Sequence, residues 1–182
     1  KPTNRKRGSS SPAADIAGPV ESTISPPPPL PSHFSPIRVD ADFSDWAAVP
    51  VTAGDTASDG TPDIVAIKTA NDDDYLYVLV GYNGPTHVNN SNGAPSTFLS
   101  LDNDANPATG FNIYGLGLIG AEVSWQNDYP FAQTAGNYNT GATFTGGAAG
   151  ISPYATQTAW QEYRIRRDAT YSTGGPQVPV FP

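Results

Sequence analysis

The chain has 182 residues, contains no cysteine and carries a formal net charge of −8. Without cysteine, neither a disulfide framework nor thiol chemistry is available. Residues 37–182 hold five basic and fifteen acidic residues, a net charge of −10, and because a phosphate backbone requires a basic surface we predict no nucleic-acid partner.

The first 36 residues have the composition of a linker. Nine of the 19 prolines fall here, four of them in the run Pro26–Pro29, and serine and alanine fill most of the gaps. Such a segment buries too little apolar surface to offset its ordering entropy. We therefore expect an extended conformation, with polyproline II character around Pro26–Pro31.

Two interpretations of this segment stay open, a passive spacer and an assembly arm. An arm would place single apolar anchors, four to six residues apart, into successive pockets of a neighbouring subunit. The candidate anchors are Val20, Ile24, Leu30 and Phe34. Because proline lacks a backbone donor, the docked part would be short, near Ile16–Ser25 or Phe34–Val39.

From Ile37 onward, short runs rich in β-branched and aromatic residues alternate with turn signals, a pattern typical of strands. The predicted strands are Ile37–Val39, Asp63–Thr69, Tyr75–Tyr82, Thr97–Leu101, Ala121–Trp125 and Thr158–Arg166, with a turn at Asn71–Asp74 and a hairpin or long loop over 135–150. Tyr75–Tyr82 is apolar on both faces, which predicts a central strand. No segment has a capped helical period. The sequence therefore predicts an all-β, antiparallel β-sandwich over residues 37–182.

Oxygen-bearing side chains alternate in one loop of this domain, at Asp102, Asp104 and Asn106. Hard cations such as Ca²⁺ prefer such oxygen ligands. The loop is not an EF-hand, because Pro107 stands where that motif needs glycine. We predict a strand-end calcium loop in which Thr109 and backbone carbonyls complete the ligand set. The alternative is that these residues are simply turn formers.

A second stretch combines aromatic rings with amides and a carboxylate where a strand enters a loop. Its residues are Trp125, Gln126, Asn127, Asp128 and Tyr129. Sugar sites combine flat apolar faces with a few orienting polar groups, so this stretch is the candidate carbohydrate-binding surface. The alternative is an ordinary aromatic rim. Trp46 is instead predicted to lie in the core.

The sequence offers little for catalysis. It has two histidines, His33 and His87, and no nucleophile elbow, histidine-rich metal motif or phosphate loop. Glu122 and Glu162 are the only glutamates after residue 36. A glycosidase pair would need two such carboxylates, but paired contacts within the sheet are the simpler interpretation. We therefore predict that the chain is not an enzyme.

Three stretches together resemble family 9 carbohydrate-binding modules and their DOMON-like relatives. They are Ile37–Trp46 (IRVDADFSDW), Ile67–Tyr77 (IKTANDDDYLY) and Leu101–Gly110 (LDNDANPATG). The resemblance covers roughly residues 37–168. It implies a β-sandwich with structural calcium, and sugar binding in some members only. Such domains continue through further strands, so the resemblance leaves open whether this sandwich lacks a terminal strand.

Two functions follow as hypotheses. The first is an extracellular or cell-surface binding module that attaches to polysaccharide. The second is a structural subunit of an extracellular filament, in which the N-terminal arm of one copy adds a strand to the next copy. The absence of methionine suggests a mature form or an excised piece, from which a signal peptide would have been removed. No apolar run approaches the roughly 20 residues of a membrane span.

Overall fold

The computed structural model describes residues 37–56, 60, 62–86 and 96–182. The proposed anchors Val20, Ile24, Leu30 and Phe34 and the linker over 1–36 lie outside the described residues. Two short 3₁₀ turns occupy Phe43–Trp46 and Ile113–Gly115. Among these residues, no helix is long and apolar enough to cross a membrane.

The described residues confirm the all-β, antiparallel prediction. The strands are β1 (Ala53–Gly54), β2 (Ile64–Asn71), β3 (Tyr75–Thr86), β4 (Phe98–Leu101), β5 (Phe111–Asn112), β6 (Gly120–Ala121), β7 (Val123–Gln126), β8 (Tyr129–Ala132), β9 (Thr143–Thr145), β10 (Gly150–Ser152), β11 (Thr158–Arg166), β12 (Thr170–Ser172) and β13 (Val178–Pro179). One five-stranded sheet has the order β1-β2-β3-β11-β10. The other layer contains the sheets β4-β7-β8 and β9-β12-β13 and the pair β5-β6.

Strand β3 is central, as its apolar faces predict, because β2 and β11 pair with its two edges. Its inner face places Val78 and Val80 against Tyr163 of β11. Its outer face places Tyr77 and Leu79 in a second apolar cluster. A strand that is covered on both faces needs apolar residues at every position, which explains the continuous run.

The main core lies between the five-stranded sheet and the other layer. It joins Val123 and Trp125 of β7 to Ile165 of β11. The C-terminal segment also contributes, because the hairpin of β12 and β13 is followed by Val180, which is 0% exposed. Residues 171–182 are therefore part of the sandwich rather than a trailing end.

The outer face of the five-stranded sheet is covered by the N-terminal end of the described chain. Trp46 is 1% exposed and packs with Ile37 and Leu79, which confirms its predicted place in the core. The predicted strand Ile37–Val39 is wrong, since these residues are not part of any sheet. The neighbouring backbone donors bond to carboxylates instead: Arg38 N–H donates to Asp45 Oδ2 at 2.7 Å.

Candidate metal centre and surface cleft

The acidic loop lies where β4 leaves the sheet. Asp102 follows β4 directly, and Glu122 lies between β6 and β7. The N–H of Glu122 donates to Leu101 O at 3.1 Å, so the pairing of these strands brings the glutamate to the base of the loop. One carboxylate oxygen from each of Asp102, Asp104 and Glu122 lies within 4.8 Å of the others.

Side chains within the loop hold its backbone in place. Both Asp102 Oδ1 and Asp104 Oδ1 accept the N–H of Asn106, at 3.0 and 2.9 Å. The Thr109 hydroxyl lies 2.8 Å from Asp104 Oδ2. The side-chain oxygen of Asn106 accepts the N–H of Ala108 at 3.1 Å. Asn106 and Thr109 therefore shape the loop and orient the aspartates. Of the three clustered carboxylates, Asp102 and Asp104 belong to the loop and Glu122 does not.

Two glycines allow the loop to close over Glu122. Gly110 has φ +63, and a Cβ there would lie 2.5 Å from Glu122 Oε1 and from Gly120 O. A Cβ on Gly120 would overlap the backbone carbonyl of Thr109. Since side chains at both positions would force the backbone apart, these glycines are required for the loop to pack this closely on the carboxylate.

The two oxygens of Glu122 have different surroundings. Oε2 accepts the N–H of Asn103 at 3.0 Å. Oε1 is buried and has no hydrogen-bond partner among the described residues. A buried carboxylate oxygen without a partner is costly, and an oxygen of the same Glu122 carboxylate lies within 4.8 Å of oxygens of Asp102 and Asp104. A bound cation would give the buried oxygen a partner and would remove the repulsion between the three carboxylates.

The ligand atoms at this site suit a hard cation. All three clustered groups are carboxylates. Ca²⁺ takes six to eight oxygen ligands at roughly 2.3–2.6 Å, so two ligands on opposite sides of the ion lie about 5 Å apart. The separation of up to 4.8 Å fits that requirement, and Asp102, Asp104 and Glu122 are the side chains that would hold the ion.

Sequence reasoning selected Asp102 and Asp104 of this cluster and missed Glu122. The side chains of the other two predicted ligands, Asn106 and Thr109, hydrogen-bond to the N–H of Ala108 and to Asp104, and their role as ligands stays a prediction. Glu122 lies far from the loop in sequence, and only the alignment of β6 and β7 with β4 brings it close. The one sequence signal that could have pointed to Glu122 is that glutamate is rare in this domain, since only two occur after residue 36.

The predicted sugar surface is only partly exposed. Trp125 is 1% exposed, and its Nε1 donates to Gly147 O at 2.7 Å. The prediction that Trp125 offers a stacking face is therefore wrong, because on β7 this residue points into the core beside Val123. Among the rest, Gln126 and Asp128 are exposed and Asn127 adopts φ +56 in the turn.

Tyr129 is 65% exposed and lies at the edge of a shallow cleft of about 710 Å³. Thr143, Phe144, Gly147 and Arg166 also line this cleft. Trp125 lies beneath it, since its indole bond to Gly147 supports the cleft floor. The cleft thus combines exposed aromatic surface with a hydroxyl and a guanidinium.

The Arg166 guanidinium is held in position within this cleft. It forms a two-point ion pair with Asp168, from Nε to Oδ1 at 2.8 Å and from Nη2 to Oδ2 at 2.5 Å. This pair raises the pKa of Arg166 above its ordinary value. The arginine is therefore a fixed planar donor at the rim of the cleft.

Glu162 is separate from the acidic loop. It is 0% exposed on β11, and its oxygens accept the N–H groups of Asp40 and Ala41 and the indole Nε1 of Trp46, each at 3.0 Å. Burial raises the pKa of Glu162, and these hydrogen bonds oppose the shift. Among the described residues, Glu162 forms no ion pair with Arg164 or Arg166.

No family model, curated protein or solved structure matches this chain. The resemblance to family 9 carbohydrate-binding modules therefore depends on the three sequence stretches alone. It stays a prediction, as do the calcium and sugar binding that it implies.

Proposed function

We propose that this chain is a non-catalytic, extracellular β-sandwich module that is stabilised by a bound Ca²⁺ ion and attaches to polysaccharide. The observation that carries the metal part is the Glu122 carboxylate, which clusters with those of Asp102 and Asp104 and whose buried Oε1 has no hydrogen-bond partner among the described residues. The sugar part is carried by the cleft at Tyr129.

The metal part is supported by how the loop is built. Its backbone and hydroxyl donors point at the aspartates, whereas the remaining carboxylate oxygen on Glu122 has none. Three carboxylates at this separation repel one another unless a cation lies between them. The ion would supply charge neutralisation and tie β4 to the connection between β6 and β7. Its role would be structural.

Thermal unfolding of the full chain in EDTA and in excess calcium tests this role. A ligand present at about 100 times its dissociation constant adds roughly 2.7 kcal/mol of stability, which corresponds to about 5–11 °C for a domain of this size. We expect the melting temperature to rise by that amount in calcium and less in magnesium, which keeps its waters more firmly. Superimposable curves in EDTA and calcium would refute a stabilising ion.

The sugar part is supported by the surface chemistry of the cleft. Tyr129 offers an exposed ring, and Thr143 and Arg166 offer hydrogen-bonding groups within the same cleft. Aromatic faces pack on the apolar faces of sugar rings, and polar groups fix the orientation. A shallow, open cleft suits a chain of sugars that passes along the surface rather than a single enclosed residue.

Affinity electrophoresis against a panel of plant and microbial polysaccharides tests the sugar part. We expect retardation by at least one polysaccharide, and Tyr129→Ala should abolish it because the stacking ring is lost. Tyr114→Ala is the matched control, since Tyr114 is 80% exposed but does not line this cleft. Retardation that Tyr114→Ala removes and Tyr129→Ala leaves intact would place the site elsewhere, and no retardation by any polysaccharide would contradict the proposal.

A further inference from the structure

Arg166 differs from the other described residues that line the cleft at Tyr129, because it alone carries a charge. Its neighbours in the wall are aromatic, hydroxyl-bearing or small, as at Phe144, Thr143 and Gly146. This is the cleft to which the sugar part of the proposed function assigns binding, so a conclusion about its ligand rests on that proposal. In a site of this kind the few polar groups determine specificity, which makes the surroundings of Arg166 important.

The end of β11 holds the Arg166 guanidinium in one place. Beyond the strand the chain turns, with the N–H of Ala169 donating to Arg166 O at 3.3 Å, and this turn brings Asp168 alongside the arginine. Nε and Nη2 of Arg166 donate to the two oxygens of Asp168 at 2.8 and 2.5 Å. The arginine also lies against the bare backbone of Gly146, where an added Cβ would be 3.4 Å from Nε. Glycine at that position leaves the room that the guanidinium occupies.

The ion pair leaves part of the guanidinium available to a ligand. An arginine side chain has five N–H donors in a rigid plane, and Asp168 accepts from two of them. No other described residue accepts from the Arg166 side chain, which is 52% exposed. The remaining donors lie on the other edges of the plane. Sugar hydroxyl oxygens are suitable acceptors for them, and hydrogen bonds from an ionised donor are stronger than those between neutral groups.

Nearby carboxylates offset the positive charge of Arg166. Contact with Asp168, and to a smaller extent the charge of Asp74, raises the pKa of Arg166. The other arginine on this face of β11, Arg164, lies with its Cζ 5.4 Å from the centre of the Tyr75 ring and does not line the cleft. An acidic sugar would therefore meet an ion pair instead of a free cation. The net charge of −10 on residues 37–182 also opposes its approach.

We propose that the Arg166–Asp168 pair makes the cleft at Tyr129 selective for neutral polysaccharides. The available N–H groups of Arg166 donate to ring hydroxyls, while the ring of Tyr129, which is 65% exposed, packs on the apolar face of a sugar. Asp168 orients the guanidinium and offsets its charge, which removes the attraction that would otherwise favour chains of uronic acids. Arg166 is thus the polar contact, and Asp168 is a positioning residue that sets the charge selectivity.

Matched pairs of polysaccharides that differ in charge test this selectivity. The probes are hydroxyethylcellulose against carboxymethylcellulose, and methyl-esterified against de-esterified pectin. Affinity electrophoresis of the full chain is run in EDTA, at a temperature at which the chain is folded, so that calcium does not bridge acidic polymers to the protein. We expect the neutral member of at least one pair to retard the natural chain, and the acidic member to bind about tenfold more weakly.

Asp168→Asn gives the sharpest test, because it leaves an uncompensated arginine in the cleft. Affinity for the acidic member should rise about tenfold, and added salt should reverse that rise because salt screens charges. Affinity for the neutral member should stay within about twofold. The matched control is Asp73→Asn, which makes the same change in net charge in an exposed turn and should alter neither affinity. Unfolding cannot produce a gain in binding, so a purely structural role of Asp168 would not give this result.

Arg166→Gln tests the donor groups themselves. The variant should bind the neutral member about tenfold more weakly, because the charged donors are lost. Its control is Arg167→Gln, since Arg167 is exposed, donates to Asp72 O at 2.7 Å and does not line the cleft.

Equal binding of the neutral and acidic members by the natural chain would overturn the proposed selectivity. So would an Asp168→Asn variant that behaves as Asp73→Asn does, or an Arg166→Gln variant that binds as the natural chain does. In each of these cases, loss of binding in Tyr129→Ala would leave the sugar part of the proposed function standing. No retardation by either member of any pair would overturn both.

Discussion

The two glutamates of the sandwich, Glu122 and Glu162, both bury carboxylate oxygens, but the two carboxylates differ in their hydrogen-bond partners. Both oxygens of Glu162 are satisfied, by two backbone N–H groups and the Trp46 indole. Within the described part of the chain, only one oxygen of Glu122 has a hydrogen-bond partner, the N–H of Asn103. At Glu162 the described chain supplies a donor to each carboxylate oxygen, while at Glu122 one buried oxygen has no donor among the described residues.

We propose that this difference distinguishes a structural carboxylate, Glu162, from a cation-binding one, Glu122. A carboxylate that is saturated with donors has no capacity left for a metal, and its task is to tie the N-terminal turn to β11. A carboxylate that keeps a bare, buried oxygen beside two aspartates gains most from a cation. Substitutions at the two glutamates test that distinction, and the largest effect is expected at Glu162.

Glu162→Gln is expected to destabilise the fold by about 2–4 kcal/mol. Whichever end of the amide carries the NH₂ group, it meets an N–H donor that formerly bonded to an oxygen, so at least one buried donor is left without a partner. Chemical denaturation measures the loss, which should be equal in EDTA and in calcium. Trp46→Phe removes only the indole donor and should lower the free energy of unfolding by less. A Glu162→Gln variant as stable as the natural chain would show that the three hydrogen bonds contribute nothing.

Glu122→Gln is expected to abolish the response to calcium. The natural chain should gain about 2.7 kcal/mol at 100 times the dissociation constant, and the variant should gain almost none, because a neutral amide replaces the carboxylate. In EDTA the variant should be as stable as the natural chain or slightly more stable, since a buried charge has been removed.

The control for this variant is Asp73→Asn. It makes the same change in net charge in an exposed turn and should keep the full response to calcium. If both variants respond to calcium as the natural chain does, the ion is not bound by Glu122, and the contrast between the two glutamates fails.

The smallest predicted effect is on pH dependence, and it concerns Glu162. Because burial raises its pKa in the folded state, the folded chain binds the proton more tightly than the unfolded chain does. This contribution to stability is complete below the ordinary glutamate pKa and is lost as the pH rises through the raised value. The natural chain should therefore lose stability relative to Glu162→Gln over that interval.

The measurement is the free energy of unfolding of both proteins in EDTA from about pH 3.5 to 7, with the difference taken at each pH. Taking the difference cancels the carboxylates that the two proteins share. A difference that does not change with pH, or one that changes with the opposite sign, would show that hydrogen bonding outweighs burial at Glu162.

Local pattern alone was enough for the strands whose period is unambiguous. β2, β3 and β11 were predicted within a few residues, because runs such as Tyr75–Tyr82 are β-branched and aromatic throughout and are bounded by turn residues. Asp102 and Asp104 were found for a similar reason, since oxygen side chains that alternate in a loop are visible in a single stretch of sequence. These features depend on residues that are neighbours in the chain.

The tertiary structure decided everything that depends on which strands pair and which face a side chain takes. Glu122 joins the acidic loop only because its backbone N–H bonds to Leu101 O, and Trp125 is buried only because the inner face of β7 meets β11. A shift of one residue in strand register would move either side chain to the opposite face of its sheet. The local sequence pattern does not determine that register. The sequence therefore determined the strands and the acidic loop, and long-range pairing determined the third carboxylate and the covered indole.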